Sequence, residues 1–85
     1  MPRPFFPHTL ADITRNVDGA LGIVVGDLAD GSIWVLKRNR KSNGYDLTHY
    51  DSPKRAKTLG KHSYDERKAA INAMADAIGL AEHLS

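Results

Sequence analysis

His8, His49, His62 and His83 are the residues of this 85-residue chain best suited to metal or acid–base chemistry. A helical metal site needs two imidazoles on one face, as in H-E-x-x-H, and these four are scattered without such a pair. His49 and Asp51 lie two apart, so both can face one side of an extended segment, but the sequence offers no third ligand beside them. A solvated or hydrogen-bonded histidine is the expectation at each position. Asp27 and Asp30 flank a turn, where aspartate serves local hydrogen bonding. Gly19, Gly22, Gly26 and Gly31 form no phosphate loop, because no helix starts after them and no G-K-[ST] follows. Ser52 and Ser63 have turn and capping positions and no base close in sequence. No catalytic residue, metal or cofactor is expected, and the chain reads as a non-enzyme.

Polyanion binding has better support. Residues 37–61 hold Lys37, Arg38, Arg40, Lys41, Lys54, Arg55, Lys57 and Lys61 against Asp46 and Asp51, a net +6. The flanking segments 1–36 and 62–85 each sum to −2, so a modest overall +2 hides one concentrated block. Such a block suits nucleic acid. The same block as a solvated face is the plain alternative. Thr48 and Tyr50 stand on the strand between the two basic stretches, where they could read base edges while the cations hold phosphates. Asp46 shares their face and would repel a phosphate backbone unless an Arg or Lys pairs with it.

The elements that must position these side chains follow from periodicity. Residues 9–17 carry Leu10, Ile13 and Val17 at helical spacing, with Thr9 as an N-cap and Asp12 in the first turn. Residues 20–26 are β-branched and bounded by glycine, a strand, and Asp30-Gly31 is a hairpin turn before a second strand over 33–38. Ile33, Trp34, Val35 and Leu36 do not alternate, which predicts cover on both faces. Asn43-Gly44 is the strongest turn signal, and 45–50 alternates Tyr45, Leu47 and His49 against Asp46, Thr48 and Tyr50. A fourth strand is expected over 54–60, untidily, because Leu59 shares a face with Arg55 and Lys57. Ser63 and Glu66 read as a capping box for a helix over 64–78, with Asp65 and Glu66 in its first turn. Ile71, Met74, Ala75 and Ile78 form its apolar stripe, and Gly79 stops it.

This is α+β: a small antiparallel sheet of three to four strands packed against a C-terminal helix, with a short N-terminal helix. An extended Pro/Phe arm over 1–8 precedes a single domain over 9–85. Pro2, Pro4 and Pro7 favour the extended arm, and Phe5 and Phe6 need cover. They fold back onto the core or meet a partner. At 41% apolar and 26% charged the chain is an ordinary globular one, large enough for one small core. The absence of cysteine excludes disulfides and thiolate metal sites. The apolar runs are too short for a membrane span or a signal peptide, so no membrane partner is expected and a cytoplasmic location is the default. The chain is expected as a monomer or homodimer.

Three strands, then Thr58-Leu59-Gly60, a capping residue, an acidic residue and Ala69-Ala70 within a helix form an arrangement that resembles the ethylene-response-factor DNA-binding domains. It is similar too to the arm-type DNA-binding domains of phage integrases. The resemblance covers about 33–78. It implies a sheet in the major groove, a helix packed behind it, contacts from Arg38, Arg40, Tyr50, Arg55 and Lys57, and a phage or mobile-element setting. This chain departs from that family at His62, where the family has an aromatic residue, and at Ile33-Trp34-Val35-Leu36, where the family's first strand is basic. The helix–strands–helix order is also similar to the double-stranded-RNA-binding domain, but Tyr64-Asp65 stands where that family begins its last helix with two lysines. The expected partner is therefore DNA rather than RNA, with Arg38, Arg40, Lys41, Thr48, Tyr50, Lys54, Arg55, Lys57 and Lys61 as contacts. The competing reading is a small phage-type regulator that docks on a host protein through Phe5, Phe6 and Trp34. Trp34 itself, among apolar neighbours, reads first as core.

Overall fold

The computed structural model describes residues 9–19, 22–81, 83 and 84. Two helices, α1 (Leu10–Val17) and α2 (Arg67–Ala77), enclose four strands in sequence: β1 (Ile23–Asp27), β2 (Ile33–Asn39), β3 (Gly44–Tyr50) and β4 (Thr58–Tyr64). The strands form one antiparallel meander in the order β1-β2-β3-β4. Each strand neighbours the next because each connection is short. The Pro/Phe arm expected over 1–8 lies outside the described residues.

Pairing register sorts the side chains onto two faces, since a strand alternates with period two. One face carries the row Val24, Leu36, Leu47, His62 and the row Gly26, Trp34, His49, Gly60. Both helices cover this face: Ile13 and Val17 of α1 and Ala70, Ile71, Met74 and Ala75 of α2 join Val24, Leu36 and Leu47 in one buried cluster. Gly26 permits the close approach of α2, because a Cβ there would stand 2.6 Å from Ile78 Cγ2. The other face carries Val25, Val35, Thr48, Lys61 and Ile23, Lys37, Asp46, Ser63, with no helix against it among the described residues. Ile33 and Val35 on this face are buried as well, so β2 is covered on both sides and its apolar run does not alternate.

The helix starts obey different rules at the two ends of the chain. At α1 Thr9 is the N-cap as expected, and Asp12 completes a capping box that was not foreseen: Asp12 N donates to Thr9 Oγ1 at 3.2 Å and Thr9 N to Asp12 Oδ2 at 3.3 Å. At α2 the expected box is absent and the helix begins at Arg67 rather than at residue 64. Ser63 belongs to β4, where it sits opposite Asp46 and its hydroxyl donates to Asp46 Oδ1 at 2.9 Å. Glu66 takes the N-cap position with extended backbone and makes no side-chain cap, and no acidic residue lies in the first turn. Cross-strand pairing of Tyr64 with Tyr45, and packing of Tyr64 on the core, keep the chain extended for the residues that would have opened the helix. The fourth strand is displaced accordingly, to 58–64 instead of 54–60; Lys54, Arg55 and Lys57 lie in the preceding loop. The untidy alternation arises because Arg55 and Lys57 are not in the strand; within it, a register shift at His49/Tyr50 leaves Leu59 without a partner.

The end of α2 matches expectation. Leu80 N reaches Ala75 O at 2.8 Å and Gly79 N reaches Asp76 O at 3.2 Å, the paired bonds of a Schellman motif, with Gly79 at φ +82°. No helix among the described residues is long and apolar enough to cross a membrane.

Candidate nucleic-acid interface

The basic block does not form one surface. β3 runs for seven residues between its two halves, and at about 3.4 Å per residue this sets Gly44 and Tyr50 about 20 Å apart. Arg38, Arg40 and Lys41 gather at the β2–β3 hairpin, whereas Lys54, Arg55 and Lys57 occupy the β3–β4 loop at the opposite end.

The loop over 51–57 is closed by its own backbone. Asp51 N donates to Lys57 O at 3.0 Å, and Lys57 N donates to Asp51 Oδ1 at 3.1 Å. Asp51 is thus committed to the loop rather than to a metal pair with His49. Arg55 takes φ +57°, a left-handed conformation that costs a non-glycine residue about 1–2 kcal/mol. Its N–H donates to Ser52 O at 2.9 Å and its guanidinium lies 5.5 Å from the Tyr50 ring centroid, a cation–π contact. Tyr50 and Arg55, two expected contacts, are therefore brought together.

Next to this loop, the helix-free side of β3 and β4 presents Thr48 directly opposite Lys61, with Tyr50 one pleat further on. Lys37 joins them on the same face, opposite Asp46. The ammonium groups of Lys37, Lys41, Lys54, Lys57 and Lys61 have no ion-pair partner among the described residues. Asp46, the acid expected to need an Arg or Lys, is instead held by Ser63 Oγ at 2.9 Å and Asn39 Nδ2 at 3.2 Å. Sequence reasoning left Lys37 out of the contact set. The parity that assigns it was hidden by the four apolar residues before it.

Arg38 is placed elsewhere. It alternates with Leu36 onto the helix-covered face, lies over Gly22, and its Nη2 donates to Gly19 O at 3.4 Å. Near it, Arg67 grips Asp18 through Nε at 2.8 Å and through Nη2. That double hydrogen bond holds the Asp18 carboxyl below the usual carboxylate range and raises Arg67. At the β1–β2 turn, Ser32 donates from both N and Oγ to Asp30 Oδ1 at 2.9 and 2.6 Å, which lowers the Asp30 carboxyl and uses it locally.

Among the described residues no group of three or more His, Asp or Glu is close enough to hold a metal. His49 stacks on Trp34, ring centroids 4.2 Å apart and 4° from parallel, and its Nε2 is buried without a hydrogen-bond partner. Trp34 is half-buried and packed against the core. Phe5, Phe6 and His8 lie outside the described residues.

Compared with known proteins, the chain matches no protein-family model, no curated protein and no solved structure.

Proposed function

We propose that this chain binds double-stranded DNA with the helix-free side of β3 and β4 and the adjoining 51–57 loop. The observation that carries the reading is the set Lys37, Lys54, Lys57 and Lys61, without ion-pair partners, around the polar positions Thr48 and Tyr50. Unpaired ammonium groups lose little on meeting phosphate, and they gain by releasing condensed counterions from the duplex. A two-stranded ribbon fits a major groove about 12 Å wide, so Thr48 and Tyr50 meet base edges while the flanking lysines and Arg55 hold the backbone. Arg38 takes no part in this contact, and Arg40 and Lys41 lie at the far end of the sheet.

The test is a fluorescence-anisotropy titration of a random-sequence duplex at several salt concentrations. Contacts from Lys37, Lys54, Arg55, Lys57 and Lys61 predict a log–log salt slope of about −4.5. Charge removal by Lys54→Ala and Lys57→Ala together should reduce that slope by about 2. Absence of binding at low salt would leave the lysines as a solvated face.

A further inference from the structure

The hairpin end of the sheet holds a different constellation. A concavity of about 460 Å³ opens there, lined by Arg38, Asn39, Arg40, Asn43 and Tyr45. Its volume lies within the roughly 300–1,000 Å³ typical of small-ligand sites. Among the described residues the lining combines two guanidiniums, two carboxamides and one half-buried aromatic ring, with no carboxylate among them. Guanidinium is the side chain suited to planar, two-pronged recognition of phosphate. An aromatic face stacks a nucleobase, and a carboxamide offers both donor and acceptor to its edge.

The local structure holds these groups in place. Asn39 Oδ1 accepts from Lys41 N at 3.0 Å and Ser42 N at 3.3 Å, while its Nδ2 donates to Asp46, so Asn39 shapes the turn. Asn43 sits at φ +57°, and its carboxamide is the one left for a ligand. Gly44 fixes the hairpin against β4, because a Cβ there would stand 2.7 Å from Tyr64 O. Arg38 is braced over Gly22 and on Gly19 O. The nearby acid Asp18 is already neutralised by Arg67, so an incoming anion meets a positive field.

We propose that this concavity binds a nucleoside monophosphate unit, its phosphate on Arg38 and Arg40, its base against Tyr45 and its base edge read by Asn43. The unit could be a free nucleotide or the phosphorylated end of a strand, which share this chemistry. The site is distinct from the duplex contact, which uses the other face of the sheet and, Lys37 apart, its other end. Loss of either leaves the other standing.

Calorimetric titration of the full chain with AMP, adenosine, ribose 5-phosphate and inorganic phosphate tests it. AMP should saturate with a Kd below about 1 mM, and each fragment should bind at least about tenfold more weakly. Arg40→Gln should weaken AMP about tenfold. Asn43→Gly, which keeps the left-handed turn, should weaken it severalfold. Circular dichroism confirms that each variant folds, and neither should change duplex binding. A 5′-phosphorylated trinucleotide that binds more tightly than AMP assigns the strand end; equal or weaker binding assigns the free nucleotide. The proposal is overturned if AMP does not saturate, if inorganic phosphate binds as tightly as AMP, or if both variants bind AMP like the parent chain.

Discussion

The two ends of β3 carry similar positive charge and put it to different structural use. At the hairpin end Arg38 is drawn into the fold: it lies over Gly22 and bonds Gly19 O, beside the Asp18–Arg67 pair, and it lines a concavity with the exposed Arg40. At the loop end Lys54, Arg55 and Lys57 are exposed, and Arg55 lies over the Tyr50 ring. Charge that is contiguous in sequence is thus divided by a strand whose length exceeds a Debye length of about 8 Å at physiological salt. The two clusters are therefore electrostatically separate at that ionic strength.

Both ends depend on one core, and the largest expected effect is a loss they share. Ile71 is fully buried at the centre of α2, and Ile71→Ala should cost about 2–5 kcal/mol in chemical denaturation. A near-neutral result would mean that α2 does not support the sheet as described. A smaller effect separates the ends. Gly44→Ala forces a Cβ to 2.7 Å from the Tyr64 carbonyl oxygen and should destabilise by about 1–3 kcal/mol, because backbone cannot move aside cheaply. Gly60, in β4 beside the loop end, has nothing within 4 Å of the same position. Gly60→Ala should therefore stay within about 0.5 kcal/mol of the parent. Equal costs at the two glycines would remove the contrast between a clamped hairpin and an open edge.

Acid titration compared between the parent chain and an Asp18 variant isolates the hairpin end, since Asp30, also lowered, lies in the β1–β2 turn at the other end. The Asp18 carboxyl is lowered in the folded chain by Arg67, so its contribution is present above the unfolded value of 3.8 and lost as pH falls through the folded value. Asp18→Asn should erase that part of the acid dependence and cost less than about 1 kcal/mol at neutral pH, since the pair is well exposed. An unchanged acid limb in the variant would assign the dependence to other carboxylates. A small stability effect is also expected at the loop end: Arg55→Ala with Lys57→Ala should cost under about 1 kcal/mol, the loss of one exposed cation–π contact. A large fall in melting temperature would show these side chains to be structural.

Much of the fold was legible because its signals are local. The α1 capping residues, the Asn43-Gly44 turn, the apolar stripe of α2 and the Gly79 stop all depend on a few adjacent residues. The start of α2 was not legible, because Ser63 and Glu66 have the spacing of a capping box while a distant strand claims Ser63 through Asp46. Of the candidate contacts, Thr48 and Tyr50 could be set on one face by alternation; Lys61 could not, because the fourth strand was expected to end at Gly60 and in fact spans 58–64. Arg38 could not: the run Ile33-Trp34-Val35-Leu36 is apolar on both faces, so nothing in it tells which of Lys37 and Arg38 points away from the helices. The concavity at the hairpin depends on Tyr45 and Arg38 meeting across two strands, a contact that only register reveals.

The central claim is that a duplex meets one end and one face of this sheet. Backbone amide chemical shifts, followed by NMR during titration with a DNA duplex, test it most directly. The account predicts shifts concentrated at Lys37, Thr48, Tyr50, Lys61 and the loop over 51–57, with Arg38, Asn43 and Tyr45 nearly unmoved. Shifts centred on the hairpin end, or none at saturating duplex, would contradict it.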